Sequence, residues 1–157
     1  LLAQPIAFFE NLHEAFAPSE QLTVLLAEID EVPVAGIFFL EWKDALYYKF
    51  NASSDQQSRP NDLLVWEGIR LARQRGLARM DFGLSDLSQP GLIRYKRKFA
   101  TQEKAIILLR WQPPGYADRR GEQIGRTFGR ITHMLTDPGV PDEITRAAGD
   151  ELYRYFC

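Results

Sequence analysis

Hydrophobic and polar residues recur with two different periods along this chain, and the changes of period divide it into helices and strands. Apolar positions three or four residues apart predict helices, whereas alternation at every second residue predicts half-buried strands. The pattern predicts a helix, three antiparallel strands, then helix, strand, helix and strand, and finally two more helices. In chain order, the predicted elements are 5–16, 22–29, 34–40, 45–51, 60–75, 77–82, 91–99, 105–111, 120–135 and 141–156.

Turn and cap residues mark the ends of these elements. Asp30 and Glu31 form a polar corner between the first two strands, which together predict a hairpin. Pro60 begins the second helix and Gly76 ends it, in agreement with the usual places of proline and glycine. We therefore expect the polar loop 51–59 to connect the third strand to the start of this helix.

The third strand and the helix after it each have a face that can be assigned from the sequence. A period of two puts alternate side chains on opposite faces of a sheet. The strand is expected to place Leu46, Tyr48 and Phe50 on one face, and Tyr47, Lys49 and Asn51 on the other. Helix 60–75 has small and apolar residues on one face, which allows close approach to a sheet: Leu64, Val65, Gly68, Ile69 and Ala72.

Composition excludes several classes of protein. The chain has 157 residues, 45% of them hydrophobic and 25% charged, with a net charge of −2, so it has no overall attraction for nucleic acid or anionic lipid. Its only cysteine is Cys157, which excludes a disulfide within the chain and agrees with a reducing cytoplasm.

His13 and His133 lack the neighbours of a metal site or a catalytic triad, so we expect no metal. No apolar run approaches the ~18 residues of a membrane span.

The order of the elements is typical of the GNAT acyltransferase fold, an α/β (α+β) fold with a mixed sheet: antiparallel hairpin strands followed by helix, strand, helix and strand. A C-terminal helical tail follows here. The segment 47–99 also resembles the C-terminal domain of Fem-type aminoacyltransferases and their CelD-like relatives. The motifs that carry the resemblance are the strand ending at Asn51, the helix opening Arg59-Pro60-Asn61-Asp62-Leu63-Leu64 with Trp66-Glu67, then Asp81-Phe82-Gly83, Gly91-Leu92, and Tyr95-Lys96 with Phe99.

The resemblance implies an activity and its partners. Fem-type enzymes move an amino acid from aminoacyl-tRNA to an amine of a peptidoglycan precursor, and relatives are assigned to acyl transfer in exopolysaccharide systems. The resemblance thus implies an N-acyl or aminoacyl transferase with acyl-CoA or aminoacyl-tRNA as donor and a small-molecule or peptide amine as acceptor.

The resemblance also bears on domain organisation, because Fem-type proteins carry two GNAT-like domains. We expect one acyltransferase domain at 1–112 and a helical extension at 113–157 packed on it, with a homodimer or a missing N-terminal twin domain as further possibilities. The chain begins at Leu1 rather than Met, which also suggests upstream sequence.

Lys96 and Asp81 are the catalytic candidates. Acyl transfer to an amine develops negative charge on the carbonyl oxygen, which a fixed ammonium stabilises, and the resemblance places Lys96 at the donor end of the site. The alternatives are that Lys96 belongs to a solvated basic helical face or contacts phosphate. Asp81 could accept a proton from the attacking amine, or it could cap a turn by binding the N–H groups of Gly83 and Ser85.

Five further residues are candidates for substrate binding. Asn51, Ser53 and Asp55 follow the end of the third strand, Arg59 is a possible anion contact, and Tyr95 precedes Lys96. For each of the polar loop residues, an ordinary surface role is the alternative.

The loop before helix 60–75 departs from the usual CoA-binding pattern. CoA-dependent GNAT proteins place a glycine-containing loop at a helix start, where clustered N–H groups hold the diphosphate. Here the loop 55–60 has no glycine, and Pro60 has no N–H to donate. We therefore expect CoA not to bind in the usual way, although Ser58 and Arg59 could meet one phosphate. The same observation supports a different class of function, a non-catalytic GNAT-like module that binds a partner or dimerises through its helical tail.

Overall fold

The computed structural model of the protein describes residues 4–55, 57–109 and 111–155. Within them the helices and strands are, in chain order, α1 (Ile6–Phe16), β1 (Leu22–Ile29), β2 (Val32–Trp42), β3 (Ala45–Ser53), α2 (Pro60–Gln74), β4 (Arg79–Asp81), α3 (Pro90–Lys96), α4 (Arg119–Leu135) and α5 (Asp142–Leu152). Nine of the ten predicted elements are present, with ends that differ by a few residues. Arg110 and Phe156, which were included in predicted elements, and Cys157 lie outside the described residues.

The strands form one sheet in the order β1-β2-β3-β4. β1, β2 and β3 are antiparallel neighbours, whereas β4 is parallel to β3. Asp30 and Glu31 close the first hairpin with φ angles of 49° and 65°, the left-handed conformation that tight hairpin turns require. A parallel pair needs a crossover, and α2 supplies it between β3 and β4. The predicted α/β (α+β) class with a mixed sheet is confirmed.

α2 packs closely on the sheet because its contact face contains a glycine. A Cβ atom on Gly68 would lie 2.5 Å from Cζ of Phe39, so no larger residue fits there without a shift. Phe39, Ile37, Leu46 and Val65 are fully buried around this contact. The predicted apolar face of the helix is therefore confirmed as the contact with the core.

The predicted strand at 105–111 is wrong. Residues 105–109 and 111 have no regular secondary structure, and the exposed fraction of the side chains rises from 64% at Ile106 to 92% at Leu109. A strand is stable only when its backbone groups pair with a neighbour. The described sheet ends at β4, which has three residues and provides few pairing groups. Apolar composition alone predicted this element, and composition does not reveal whether a pairing partner exists.

Contacts divide the chain into two compact units. One unit, His13–Ala105, holds the sheet, α2 and α3. The other combines the residues before His13 with those from Ile106 onward, and it holds α4 and α5. In this unit Asp118 caps α4 by accepting the N–H of Gly121 at 2.8 Å, and Thr145 on α5 donates to the carbonyl of Leu135 at 2.9 Å. The predicted helical tail is confirmed as this pair of helices. No helix in the described ranges is long and apolar enough to cross a membrane.

Candidate functional site

β3 is interrupted by a β-bulge. Phe39 on β2 pairs with Tyr48, and the preceding Phe38 pairs with Phe50, so Lys49 has no partner of its own on β2. A single extra residue of this kind bends the strand and reverses which side chains face the core. The bulge therefore changes the surface that β3 presents beyond Tyr48.

Beyond the bulge, polar side chains lie on the core side of the sheet. Asn51 pairs with Ile37, and Ser53 pairs with Ala35. Directly opposed residues share a face, and both partners belong to the core under α2. The predicted alternation is wrong for Phe50 and Asn51, because the inserted residue exchanged their faces. This correction moves Asn51 to the α2 side of the sheet.

A row of aromatic rings leads from the sheet to α3. The ring centroids of Phe39 and Tyr48 are 6.1 Å apart, and those of Tyr48 and Phe82 are 6.0 Å apart. Phe82 stacks on Phe99 at 6.4 Å, and Phe99 meets Tyr95 at 5.7 Å. Aromatic pairs interact favourably at these separations. The row fixes the positions of β3, the end of β4 and α3 relative to one another.

The ammonium of Lys96 is held at the end of β4. Its Nζ donates to the carbonyl of Leu84 at 2.8 Å and, at 3.5 Å, to the carbonyl of Gly83. Partial burial lowers the pKa of Lys96 below its usual value, while the charge of Asp81 acts in the opposite direction. The two catalytic candidates are therefore brought together, and Lys96 does not point away into solvent.

Asp81 caps the turn that follows β4. Its Oδ1 accepts the N–H of Gly83 at 2.7 Å, and Gly83 has a φ of 66°, a conformation that favours glycine. This contact agrees with the alternative that Asp81 caps a turn. Since a carboxylate has a second oxygen, the contact leaves Oδ2 as a further acceptor.

Tyr95 lies on α3, with its hydroxyl near Asp62 at the start of α2. Its hydroxyl oxygen is buried and lies close to the carboxylate of Asp62, without a hydrogen bond of full geometry between them. Burial raises the pKa of Tyr95, with smaller contributions from Tyr48 and from the nearby carboxylate of Asp62. Burial also raises the pKa of Tyr48, to about 12. Nζ of Lys98 lies over the ring of Tyr95, 5.0 Å from its centroid.

The loop between β3 and α2 is organised around one carboxylate. Asp55 Oδ1 accepts the backbone N–H of Gln57 at 2.8 Å, and Oδ2 accepts the N–H of Ser58 at 3.3 Å and also its hydroxyl. These bonds lower the pKa of Asp55. Ser53 Oγ donates to the carbonyl of Asp55 at 2.5 Å. Arg59 follows with φ 55°, left-handed and exposed, at the N-cap position of α2.

This loop does not fit a diphosphate group. The N–H groups of Gln57 and Ser58 are engaged by Asp55, and Pro60 at the first position of α2 has no N–H. Asp62 in the first turn is paired with Lys98, so the pair adds no free positive charge. An anion bound here would meet the carboxylate of Asp55 in place of the donors that usually hold it. The expectation that CoA does not bind in the usual way is supported by this arrangement.

The structure thus gathers some of the predicted residues and not others. Lys96 and Asp81 lie together at the end of β4, with Tyr95 on the same short helix as Lys96. Ser53 and Asp55 are bonded within the loop, whereas Asn51 and Arg59 are exposed. No motif in the sequence indicated that Asp62 and Lys98, which are 36 residues apart in the chain, meet beside Tyr95.

The described part of this unit has a further surface feature, away from the candidate residues. An open depression lies elsewhere on the surface, lined by His13, Ala17, Glu20, Leu22, Val24 and Arg75, and contains none of the candidate residues. In the part of the chain that the structure describes, no group of three or more histidine, cysteine, aspartate or glutamate side chains could hold a metal ion.

Comparison with known proteins identifies the fold. The model of the acetyltransferase (GNAT) domain family matches residues 3–97. Among solved structures, AAC(6')-Iy in complex with the bisubstrate analogue CoA-S-monomethyl-acetylneamine is similar, with a TM-score of 0.55 and 12% identity over 69% of this chain and 82% of that one. The apo aminoglycoside 6'-N-acetyltransferase AAC(6')-IG from Acinetobacter haemolyticus has a TM-score of 0.49 and 13% identity, over 68% and 81% of the two chains. A search of the curated proteins found no significant match.

Proposed function

Because the chain belongs to the acetyltransferase (GNAT) domain family, we propose that the protein is an N-acyltransferase, which moves an acyl or aminoacyl group onto a substrate amine by direct attack. The observation that carries the proposal is the position of Lys96. Its ammonium is partly buried, tied to two backbone carbonyls and close to a second ionisable group, Asp81. Ionisable groups in such surroundings are concentrated at functional sites.

Lys96 stabilises the transition state in this mechanism. A lysine ammonium has three N–H donors, and the carbonyls of Gly83 and Leu84 take two of them. The third is directed at the carbonyl oxygen of the donor. When the substrate nitrogen attacks the carbonyl carbon, the C=O electron pair moves to oxygen and the ammonium stabilises that negative charge. The C–O bond to the oxyanion then re-forms as C=O, and the bond to the leaving group breaks.

Asp81 receives the proton that the attacking nitrogen must lose. Oδ1 is held by the N–H of Gly83, which fixes the carboxylate and leaves Oδ2 for the amine. The leaving group takes a proton from solvent as it departs, and Asp81 returns its proton to solvent before the next turnover. The protein forms no covalent bond with the acyl group, so its contribution is positioning and charge stabilisation.

Buried polar atoms around the site support the presence of a ligand. Asn61 Oδ1 in the first turn of α2 and Ser85 Oγ beyond β4 are buried without hydrogen-bond partners in the described ranges. Buried polar groups are nearly always paired. A substrate with hydrogen-bonding groups would supply the missing partners, and Asn51, Ser53 and Arg59 would contact it from the loop side.

The substrate class that we propose rests on the sequence resemblance. The sequence motifs resemble the Fem-type and CelD-like branch, so we place the reaction in the cytoplasm, in the synthesis of peptidoglycan or exopolysaccharide precursors, with aminoacyl-tRNA as one possible donor. Fem-type activity would further require a second domain or a second copy. The similar solved structure was determined with an analogue that joins CoA to an acetylated neamine, and this agrees with an amine acceptor.

The test is acyl transfer measured with Lys96→Ala and a matched control. Donors are acetyl-CoA, S-acetyl-pantetheine and alanyl-tRNA, and acceptors are neamine, glucosamine and a lysine-containing peptidoglycan precursor, with products identified by mass. Lys96→Ala should lower kcat about 100-fold, the usual loss when one oxyanion donor is removed. Lys104→Ala, an exposed lysine outside the site, should leave it unchanged. Equal rates in both variants would contradict the assignment of Lys96.

A non-catalytic binding or dimerisation module is the second candidate. One observation favours it: α4 exposes apolar side chains, among them Ile124 and Met134. If the protein neither binds nor turns over any donor of the panel, and light scattering shows a dimer that Met134→Glu dissociates, this alternative replaces the enzyme.

A further inference from the structure

We infer that Asp55 occupies the place at the start of α2 where a nucleotide diphosphate would lie, so that the acyl donor of this protein brings no diphosphate to that position. The inference deepens the proposed function and rests on it, since it concerns the donor of the same acyl transfer. It makes Asp55 a specificity-determining residue.

The contacts of Asp55 are those that a bound anion would make. Its two carboxylate oxygens accept two consecutive backbone N–H groups and one hydroxyl, from Gln57 and Ser58. Bonds to N–H groups of a loop at a helix start are the usual way in which proteins hold phosphate. The carboxylate that accepts them here belongs to the protein itself.

Further hydrogen bonds hold the backbone on either side of this carboxylate in place. Ser53 Oγ donates to the carbonyl of Asp55, and the N–H of Ser54 donates to the carbonyl of Val34 on β2 at 2.9 Å. Asp55 is ionised at neutral pH, and its hydrogen bonds to Ser58 and Gln57 lower its pKa further. An incoming diphosphate would therefore have to displace a fixed negative charge.

The cations nearby do not offset this charge. Lys98 is paired with Asp62 at 3.3 Å, so one positive charge is matched by one negative charge. Arg59 is exposed at the N-cap and is a single cation. A diphosphate carries about two negative charges, and like charges placed together at a binding site cost affinity. The donor class that fits is an ester or thioester whose carrier has no diphosphate at the start of α2.

CoA binding and donor preference test the inference separately from the proposed function. The first measurement is calorimetric titration of the protein with CoA. The wild type should show no binding that depends on the phosphates, whereas Asp55→Ala and Asp55→Asn should bind CoA at least about tenfold more tightly than the wild type. Asp55→Asn is included because it keeps an acceptor for the loop N–H groups while removing the charge.

The matched control is Asp86→Ala. Asp86 accepts the N–H of Ser88 at 2.8 Å in the same kind of turn, and its pKa is also lowered, but it lies in the loop before α3. Removing it takes away one negative charge without changing the start of α2, so affinity for CoA should stay at the wild-type level. Circular dichroism spectra of all variants check that the fold is retained.

The second measurement compares acetyl-CoA with S-acetyl-pantetheine, which lacks the nucleotide and the diphosphate. The wild type should use the two within about threefold in kcat/KM, and Asp55→Asn should shift the ratio about tenfold toward acetyl-CoA. A wild type that binds CoA through its phosphates, or Asp55 variants that gain no affinity, would overturn the inference. Gain of CoA affinity without any acyl transfer would uphold it and contradict the proposed function.

Discussion

Lys98 and Asp62 form an ion pair between the end of α3 and the first turn of α2, with 3.3 Å between Nζ and Oδ2. The pair connects two elements that are far apart in the sequence, and Nζ of Lys98 also lies over the ring of Tyr95. The start of α2, the basic end of α3 around Lys98 and the aromatic row that begins at Phe39 consequently meet within one unit. This convergence is what the proposed acyl-transfer site requires.

The first prediction concerns the strength of this ion pair. Side-chain exposures of 50% for Lys98 and 32% for Asp62 mean that solvent screens it in part. A double-mutant cycle with Lys98→Met and Asp62→Asn, followed by urea unfolding, should give a coupling energy of about 0.5–1 kcal/mol.

The control cycle uses Glu122 and Arg126 on α4. These side chains are 68% and 71% exposed and 3.6 Å apart, so their coupling should not exceed a few tenths of a kcal/mol. A cycle at Lys98 and Asp62 that gives no more than the control would show that the pair does not join the two elements energetically.

The second prediction concerns the contact between α2 and the sheet. Gly68→Ala should lower the free energy of unfolding by about 1–3 kcal/mol, because the new methyl group would collide with the buried ring of Phe39. Gly125→Ala is also inside a helix, but beyond the backbone of that helix no atom of the described residues lies within 4 Å of the added Cβ, so this change should be neutral or slightly stabilising. Urea unfolding followed by circular dichroism measures both. Equal effects would show that the close approach to Phe39 is not required.

The elements with strong local signals could be predicted from the sequence. Pro60, Gly76 and the apolar spacing between them predicted α2, and Asp30-Glu31 predicted the first hairpin. The candidates Lys96 and Asp81 came from motifs that resemble a known family, and the structure places them together, since Asp81 ends β4 and Lys96 on α3 binds the carbonyls of the turn that follows it.

Features that depend on pairing could not be predicted. The bulge at Lys49 is defined by the register between β2 and β3, and the sequence of β3 alone does not contain that register. The apolar composition of segment 105–111 predicts a strand, but a strand forms only where a neighbouring strand pairs with its backbone groups. The hydrogen bonds of Asp55 depend on the backbone of its own loop, and its sequence neighbours indicated only a polar turn.

The third prediction concerns stability at high pH. Tyr48 has a folded-state pKa of about 12, above its ordinary value of 10.0, and that of Tyr95 is also raised. A raised pKa means that the unfolded chain loses the phenolic proton first, so the stabilisation is complete below pH 10.0 and is lost as the pH rises toward about 12. The free energy of unfolding should fall over this interval. Tyr48→Phe should make the decrease smaller, and a decrease that is unchanged in this variant would contradict the assignment to Tyr48.

The last prediction uses the same reasoning for catalysis by Lys96. Its pKa lies below the usual 10.5, mainly because of burial, and only the protonated form can stabilise the oxyanion. The value of kcat/KM should therefore decline on the alkaline side at a lower pH than an ordinary lysine would give. Lys96→Arg should recover part of the activity that Lys96→Ala loses and should shift the decline to higher pH, because a guanidinium stays protonated there. A purely structural role for Lys96, through its bonds to the carbonyls of Gly83 and Leu84, would leave the pH profile of Lys96→Arg in the same position as that of the wild type.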